Sequence, residues 1–190
     1  MKLKRWLWQK AQEVMNLEKL VFIDESGAKT NMTRLYGRAK AGQRVVDNVP
    51  AGHWCTTTMI SSVRLDGSTA CMVVDGATNT EVFQAYVKHI LLPTLKPGDI
   101  VVLDNLSAHK NQETRELIDS VGAEVWFLPP YSPDFNPIEK MWSKIKSILR
   151  TLKARTEKAL INAIAKALEA VTAGDAKGWF ESCGYVNTKT

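Results

Sequence analysis

Two continuous apolar runs, Leu20-Val21-Phe22-Ile23 and Ile100-Val101-Val102-Leu103, are each closed by an aspartate, Asp24 and Asp104. Short unbroken runs rich in branched residues predict strands buried on both faces, and their ends can hold two acids side by side. Thr56 to Val63 and Ala70 to Val74 are also β-prone; Asp66-Gly67 between them predicts an antiparallel hairpin. Glu124 to Leu128 reads as a short strand stopped by Pro129-Pro130. Helical spacing appears from about Thr80, capped by Asn79 or Thr80, with Val82, Phe83, Tyr86, Val87 and Ile90 on its apolar side until Pro93. Further helices are expected over Glu113 to Val121, ended by Gly122, over Pro137 to about Leu152, and over Thr156 to Val171, before a glycine-punctuated tail. The start, Met1 to Leu17, reads as a basic amphipathic helix with Leu3, Leu7, Ala11, Val14 and Met15 on one face. This order predicts an α/β fold, a mixed sheet flanked by helices. Residues 1–18 form a basic lead-in and residues 19–190 one domain.

Composition changes this picture little. The 190 residues are 45% hydrophobic and 24% charged, ordinary for a globular domain. Lysine and arginine exceed acids 25 to 20, a formal charge of +5 that favours an anionic partner only weakly. Cys55, Cys71 and Cys183 lack any Cys-x-x-Cys spacing, which argues against a disulfide framework or a thiolate zinc site and fits a reducing cytoplasm. Charges interrupt the apolar residues of the first ten positions, so no signal-peptide core is present, and no stretch approaches the roughly 20 apolar residues that span a bilayer.

The candidate chemistry lies in three carboxylates. Asp24 precedes Glu25, and alternation along a strand sends the two to opposite faces; Asp24 is the one assigned to a shared site. The competing reading is a polar turn, Asp24-Glu25-Ser26-Gly27, after a buried strand. Asp104 equally suits an Asx-turn or helix cap. Glu139 has a sharper competitor: with Asn136 as N-cap and Pro137 first in the helix, Glu139 occupies the third position of a capping box. Along that helix Glu139, Ser143, Lys146 and Arg150 share one face, while Ile138, Met141, Trp142, Ile145, Leu149 and Leu152 form the apolar one. An acid above a basic stripe suits a metal ligand beside a phosphate backbone; a solvated helix face is the alternative. Three acids brought together would repel one another until a divalent cation neutralised them.

Phe22-Ile23-Asp24-Glu25-Ser26-Gly27, Leu103-Asp104-Asn105 with His109, and Leu128-Pro129-Pro130-Tyr131-Ser132-Pro133-Asp134-Phe135-Asn136-Pro137-Ile138-Glu139 with Trp142 and Lys146 resemble the mariner-like DDE transposases, especially their bacterial insertion-sequence branch. The second and third acids are separated by 34 residues, the spacing of that branch. The resemblance runs from about Leu20 to Gly184-Tyr185. It implies an RNase H-like fold with a mixed five-stranded central sheet and helices on both sides. Asp24, Asp104 and Glu139 would be the catalytic and metal-binding residues, holding two Mg²⁺ or Mn²⁺ ions for phosphodiester hydrolysis and 3′-hydroxyl strand transfer in cut-and-paste transposition. Tyr131, Pro130 and Pro133 would hold the approach to Glu139.

The resemblance also implies DNA partners, both element ends and target, and a homodimer, for which the basic start of the chain is the candidate interface. The expected DNA contacts are Arg38, Arg44, Asn105, His109, Lys144, Lys146 and Arg150, the basic ones acting on the backbone with little sequence choice. His109 could orient a phosphate or metal-bound water, or serve only as a structural hydrogen-bonder. The location expected is the bacterial cytoplasm, at the nucleoid. Relatives carry helix-turn-helix modules ahead of the catalytic domain, whereas about 19 residues precede the first strand here, so recognition of specific ends is expected from another chain or not at all. Two other functions stay open: a non-catalytic remnant that binds DNA or partner subunits, and a stand-alone RNase H-like nuclease.

Overall fold

The computed structural model describes residues 2–186; Met1, where the first helix was expected to begin, and residues 187–190 of the expected domain lie outside the described residues. Five strands, β1 (Leu20–Lys29), β2 (Thr56–Val63), β3 (Thr69–Asp75), β4 (Ile100–Leu103) and β5 (Glu124–Phe127), form one sheet in the order β3-β2-β1-β4-β5. β1, β2 and β3 are antiparallel neighbours, and β4 and β5 run parallel to β1. The α-helices are α1 (Lys2–Gln12), α2 (Thr80–Tyr86), α3 (Gln112–Asp119), α4 (Pro137–Leu152), α5 (Glu157–Glu169) and α6 (Ala173–Ser182); the helix expected from Thr80 to Pro93 is α-helical only to Tyr86 and continues as a π-helical turn over Val87–Leu91 and a 3-10 turn over Leu92–Thr94.

The apolar run of β1 is buried on both faces, as its composition predicts. Leu20 and Phe22 join a core with residues of α1, α4, α5 and α6, whereas Val21 and Ile23 join a second core with α2 and α3. Alternation therefore continues into the polar part of the strand. Asp24 shares the face of Leu20 and Phe22, under α4, and Glu25 shares the opposite one.

β1 differs from expectation in length. Ser26-Gly27 is not a turn: the strand runs on to Lys29, paired with β2 from Phe22↔Val63 to Lys29↔Thr56. β4 stops at Leu103 and last pairs with β1 at Phe22↔Val102. Beyond that point the β4 side of β1 is open, and the opening is where the chain order of the sheet reverses, the position at which ligands bind in α/β sheets.

The hairpin forms as predicted, with Gly67 at φ +83° and Arg64 N–H donating to Ser68 O (3.1 Å). A Cβ on Gly67 would come within 2.8 Å of the Ala173 backbone nitrogen at the start of α6. Gly67→Ala is therefore expected to destabilise the fold by about 2–4 kcal/mol, combining left-handed strain with a displaced helix end. Urea denaturation checks this; a loss below about 0.5 kcal/mol would show the turn and α6 to be loosely coupled.

Two helices depart from the sequence reading. The buried residues of α1 are Trp8 and Gln12, while Leu3, Leu7 and Val14 are exposed. Trp8 Nε1–H donates to Tyr185 Oη (3.0 Å) and Gln12 Nε2–H to Cys183 O (2.9 Å), partners far away in sequence that periodicity does not reveal. α6 occupies what reads as a glycine-punctuated tail. It is started by a capping box between Thr172 and Asp175 and buries Phe180 edge-on against Phe22 (5.3 Å between centroids).

Candidate active site

Two residues past the last β1–β4 pair come Asp24, still within β1, and Asp104, just beyond the end of β4, so the parallel register delivers the two acids side by side. Glu139 reaches the same place from the first turn of α4. Together with Asn105, Leu106, the segment 128–133 and Asn136 they line a cleft of about 500 Å³.

The competing explanation for Glu139 does not hold. Asn136 is the N-cap of α4 but makes no side-chain cap, and its N–H goes to Pro133 O (3.0 Å) rather than to Glu139. Glu139 is exposed at the cleft, and the Asn136 Oδ1 beside it is buried without a hydrogen-bond partner.

Burial, reinforced by the charges of Glu139, Asp104 and Glu25 and only partly offset by the Glu25 amide, pushes the Asp24 carboxyl up to about 7. Asp104 behaves oppositely. Burial would raise it, but hydrogen bonds from His109 and the Leu106 amide, with the His109 and Lys110 charges, hold it below the usual carboxylate range.

His109 is fully buried behind the cleft rather than in its lining. Its Nδ1–H donates to Asp104 Oδ1 (2.7 Å), and Nε2 lies 3.5 Å from Glu25 Oε1. Burial disfavours its charge, yet the two carboxylates outweigh this and raise its pKa to about 9, so it is an imidazolium near neutral pH. Glu25, passed over in the sequence, thus acts on the far face of β1 through the histidine that holds Asp104.

The other expected contacts are dispersed. Asn105 lines the cleft with its Nδ2–H on Leu128 O (2.6 Å). Arg38 and Arg44 sit on the exposed loop 30–55; Lys146 and Arg150 are half-buried along α4; Lys144 is ion-paired with Asp175 of α6. Arg5 gave no sequence signal. From α1 it donates to Ser132 Oγ (2.8 Å) and both Asp134 carboxylate oxygens (2.9 and 2.6 Å), and lies over the Phe135 ring at 4.4 Å. It clamps the segment that forms one wall of the cleft.

The donor set fits a hard divalent cation. Three carboxylates line one cleft whose described lining contains no lysine or arginine, and Asn136 of the same lining keeps a buried amide oxygen without a hydrogen-bond partner. Among the described residues no three histidine, cysteine or carboxylate side chains are already drawn together as a metal cage.

Residues 19–161 match the family described as DDE superfamily endonuclease, and the chain belongs to that family. Its fold is RNase H-like, as in the catalytic domain of Mos1 mariner transposase, to which it is 14% identical over 96% of this chain and 86% of that one, with a TM-score of 0.68. The Mos1 transposase paired-end complex with left transposon end gives 0.74 at 14% identity, covering 96% of this chain and 57% of that one. The Mos1 mariner paired end complex with Mn gives 0.70 at 16% identity, covering 96% and 58%. The chain thus spans a little over half the length of these larger transposase chains. Among curated proteins none matches. No helix among the described residues is long and apolar enough to cross a membrane.

Proposed function

We propose that the chain is the catalytic domain of a cut-and-paste DNA transposase, of the bacterial insertion-sequence type, acting in the cytoplasm on DNA at the nucleoid. It would hydrolyse phosphodiesters at element ends and join the freed 3′-hydroxyl to target DNA. The observation that carries this reading is the convergence of Asp24, Asp104 and Glu139 on one cleft that, among the described residues, offers them no basic lining residue. Asp24, Asp104 and Glu139 would hold two Mg²⁺ or Mn²⁺ ions. When bound, such ions neutralise charge at the attacking and leaving oxygens of an in-line displacement.

The chain's own residues prepare that chemistry. His109 keeps its proton on Nδ1 toward Asp104, leaving the carboxylate ionised and oriented at the cleft. Glu139, released from any capping box, is available to turn toward the aspartates. Arg38, Arg44, Lys144, Lys146 and Arg150 would meet DNA backbone around the cleft, with Asn105 nearer its floor; Lys144 would first have to leave Asp175. A second copy of the chain would pair two element ends, and α1, which exposes Leu3, Trp6 and Leu7, is the surface proposed for that contact.

The test is a strand-joining assay with a pre-cut 3′-hydroxyl duplex and a target plasmid in Mg²⁺ or Mn²⁺. Joined products are expected. Cleavage without joining would reduce the assignment to a nuclease, and neither reaction would favour a non-catalytic remnant.

A further inference from the structure

The cleft wall carries a strained residue. Among the described residues only Tyr131 (φ +55°) and Lys153 (φ +49°) have left-handed backbones without being glycine. Lys153 ends α4, with its N–H on Leu149 O, a familiar helix-closing role. Tyr131 ends no helix, and a bulky residue in this region is a genuine outlier. Strain of this kind persists where the surroundings over-determine it, and at binding sites it can be part of the mechanism. Here Pro129-Pro130 precede it. The segment after it is pinned by Arg5 on Ser132 and Asp134 and by Tyr185 Oη–H on Phe135 O (2.8 Å).

The strain does not serve the core, because Tyr131 is 86% exposed. It stands in the lining of the acid cleft beside Pro130 and Pro133, and the same lining contains Leu106, itself 47% exposed. A site that met only phosphate would have no use for a solvent-facing ring and leucine next to its carboxylates. An aromatic face offers what every nucleobase can use, a stacking surface indifferent to sequence.

We propose that Tyr131 is a stacking platform for an unpaired nucleotide base adjoining the phosphate addressed by the acids, so that the cleft prefers a DNA end carrying at least one unstacked nucleotide. This rests on the reading of the cleft as a DNA phosphodiester site and specifies the form of its substrate. The strain then has a purpose: the left-handed backbone presents the ring to the cleft, and the anchors on either side keep it there when empty.

The test uses two short duplexes in Ca²⁺-containing buffer, one blunt and one with a single unpaired 2-aminopurine at the 3′ end. Affinity is read by anisotropy and stacking by quenching of the 2-aminopurine. Wild type and Tyr131→Phe are expected to quench the probe and to bind the overhanging duplex on the order of tenfold tighter than the blunt one. Tyr131→Asn removes the ring while suiting a left-handed backbone; it should bind both duplexes alike without quenching, at a melting temperature equal to or above that of wild type because the backbone strain is relieved. Quenching and preference retained in Tyr131→Asn would overturn the proposal, as would a wild type that binds both duplexes equally. A wild type that binds neither would overturn the DNA reading of the cleft as well, which separates the two failures.

Discussion

Replacing Asp24 with asparagine will abolish divalent-ion-dependent DNA cleavage and, in metal-free buffer above pH 7, raise the melting temperature of the protein. Both outcomes have one cause. The folded chain holds this carboxyl with a pKa of about 7 against 3.8 for the free group, chiefly because it is buried and also because Glu139, Asp104 and Glu25 repel its charge. Its folded form therefore binds the proton more tightly than the unfolded chain does. Stability from this group is full below about pH 4, falls as pH rises toward 7, and is lost above it. Asparagine cannot ionise, so the penalty disappears. Three pKa units cap the gain at about 4 kcal/mol, and each kcal/mol moves the melting point of a chain this size by about 2–4 °C.

The same charge that destabilises the empty site is the one a cation needs, so Mg²⁺ or Mn²⁺ should stabilise wild type and leave Asp24→Asn unmoved. Cleavage should fall by more than about 100-fold, because even partners outside the ligand set commonly cost about 10–100-fold. The two other acids serve as controls. Asp104→Asn should be equally inactive yet less stable, since it deprives buried His109 of its 2.7 Å carboxylate partner. Glu139→Gln should be inactive with little change in stability, because the side chain is exposed. Plasmid nicking and thermal melting with and without chelator measure the whole set. Cleavage by Asp24→Asn, or a melting point below wild type at pH 8 without metal, would remove the basis for the assignment.

What could be read from the chain alone follows the range of each interaction. β4, the hairpin and α4 were legible because local pattern decides them: apolar runs, Asp66-Gly67, and an apolar face on α4 that is buried from Ile138 to Leu149, although Leu152, expected on that face, is exposed at the helix end. The extension of β1 through Ser26-Gly27 was not, because pairing with β2 overrides the local preference for a turn there. α6 was hidden by Gly174 and Gly178, although Thr172 and Asp175 spelled its capping box and could have located its start. The exposed Leu3 and Leu7 of α1 show the limit of periodicity. Helical spacing identifies an apolar stripe, but the buried side was chosen by Tyr185 and Cys183, residues at the other end of the sequence. In the site, strand alternation separated Asp24 from Glu25 on the faces the structure shows. The Glu25–His109–Asp104 chain and the Arg5 clamp depend on contacts between distant segments, for which a single sequence carries no signal.

The largest loss of stability is expected from Phe180→Ala, a residue outside the 19–161 span that matches the family. Its ring is fully buried, edge-on to Phe22 at 5.3 Å and 5.8 Å from Tyr185. Truncation would leave a cavity under the strand that carries Asp24, at a cost of about 3–5 kcal/mol, a large share of the roughly 5–15 kcal/mol that stabilises a domain. Tyr185→Phe separates packing from hydrogen bonding. It keeps the ring against Phe22 but leaves Trp8 Nε1–H and Phe135 O without their shared hydroxyl, costing about 1–3 kcal/mol. The two variants should differ in function as well. Phe180→Ala acts on the strand beneath the acids and should lose folding and activity together on heating. Tyr185→Phe frees α1 and the Phe135 segment, so activity should fall at temperatures where circular dichroism still reports an intact fold. If Phe180→Ala melts within about 2 °C of wild type, α6 is an appendage and the core described here ends at α5.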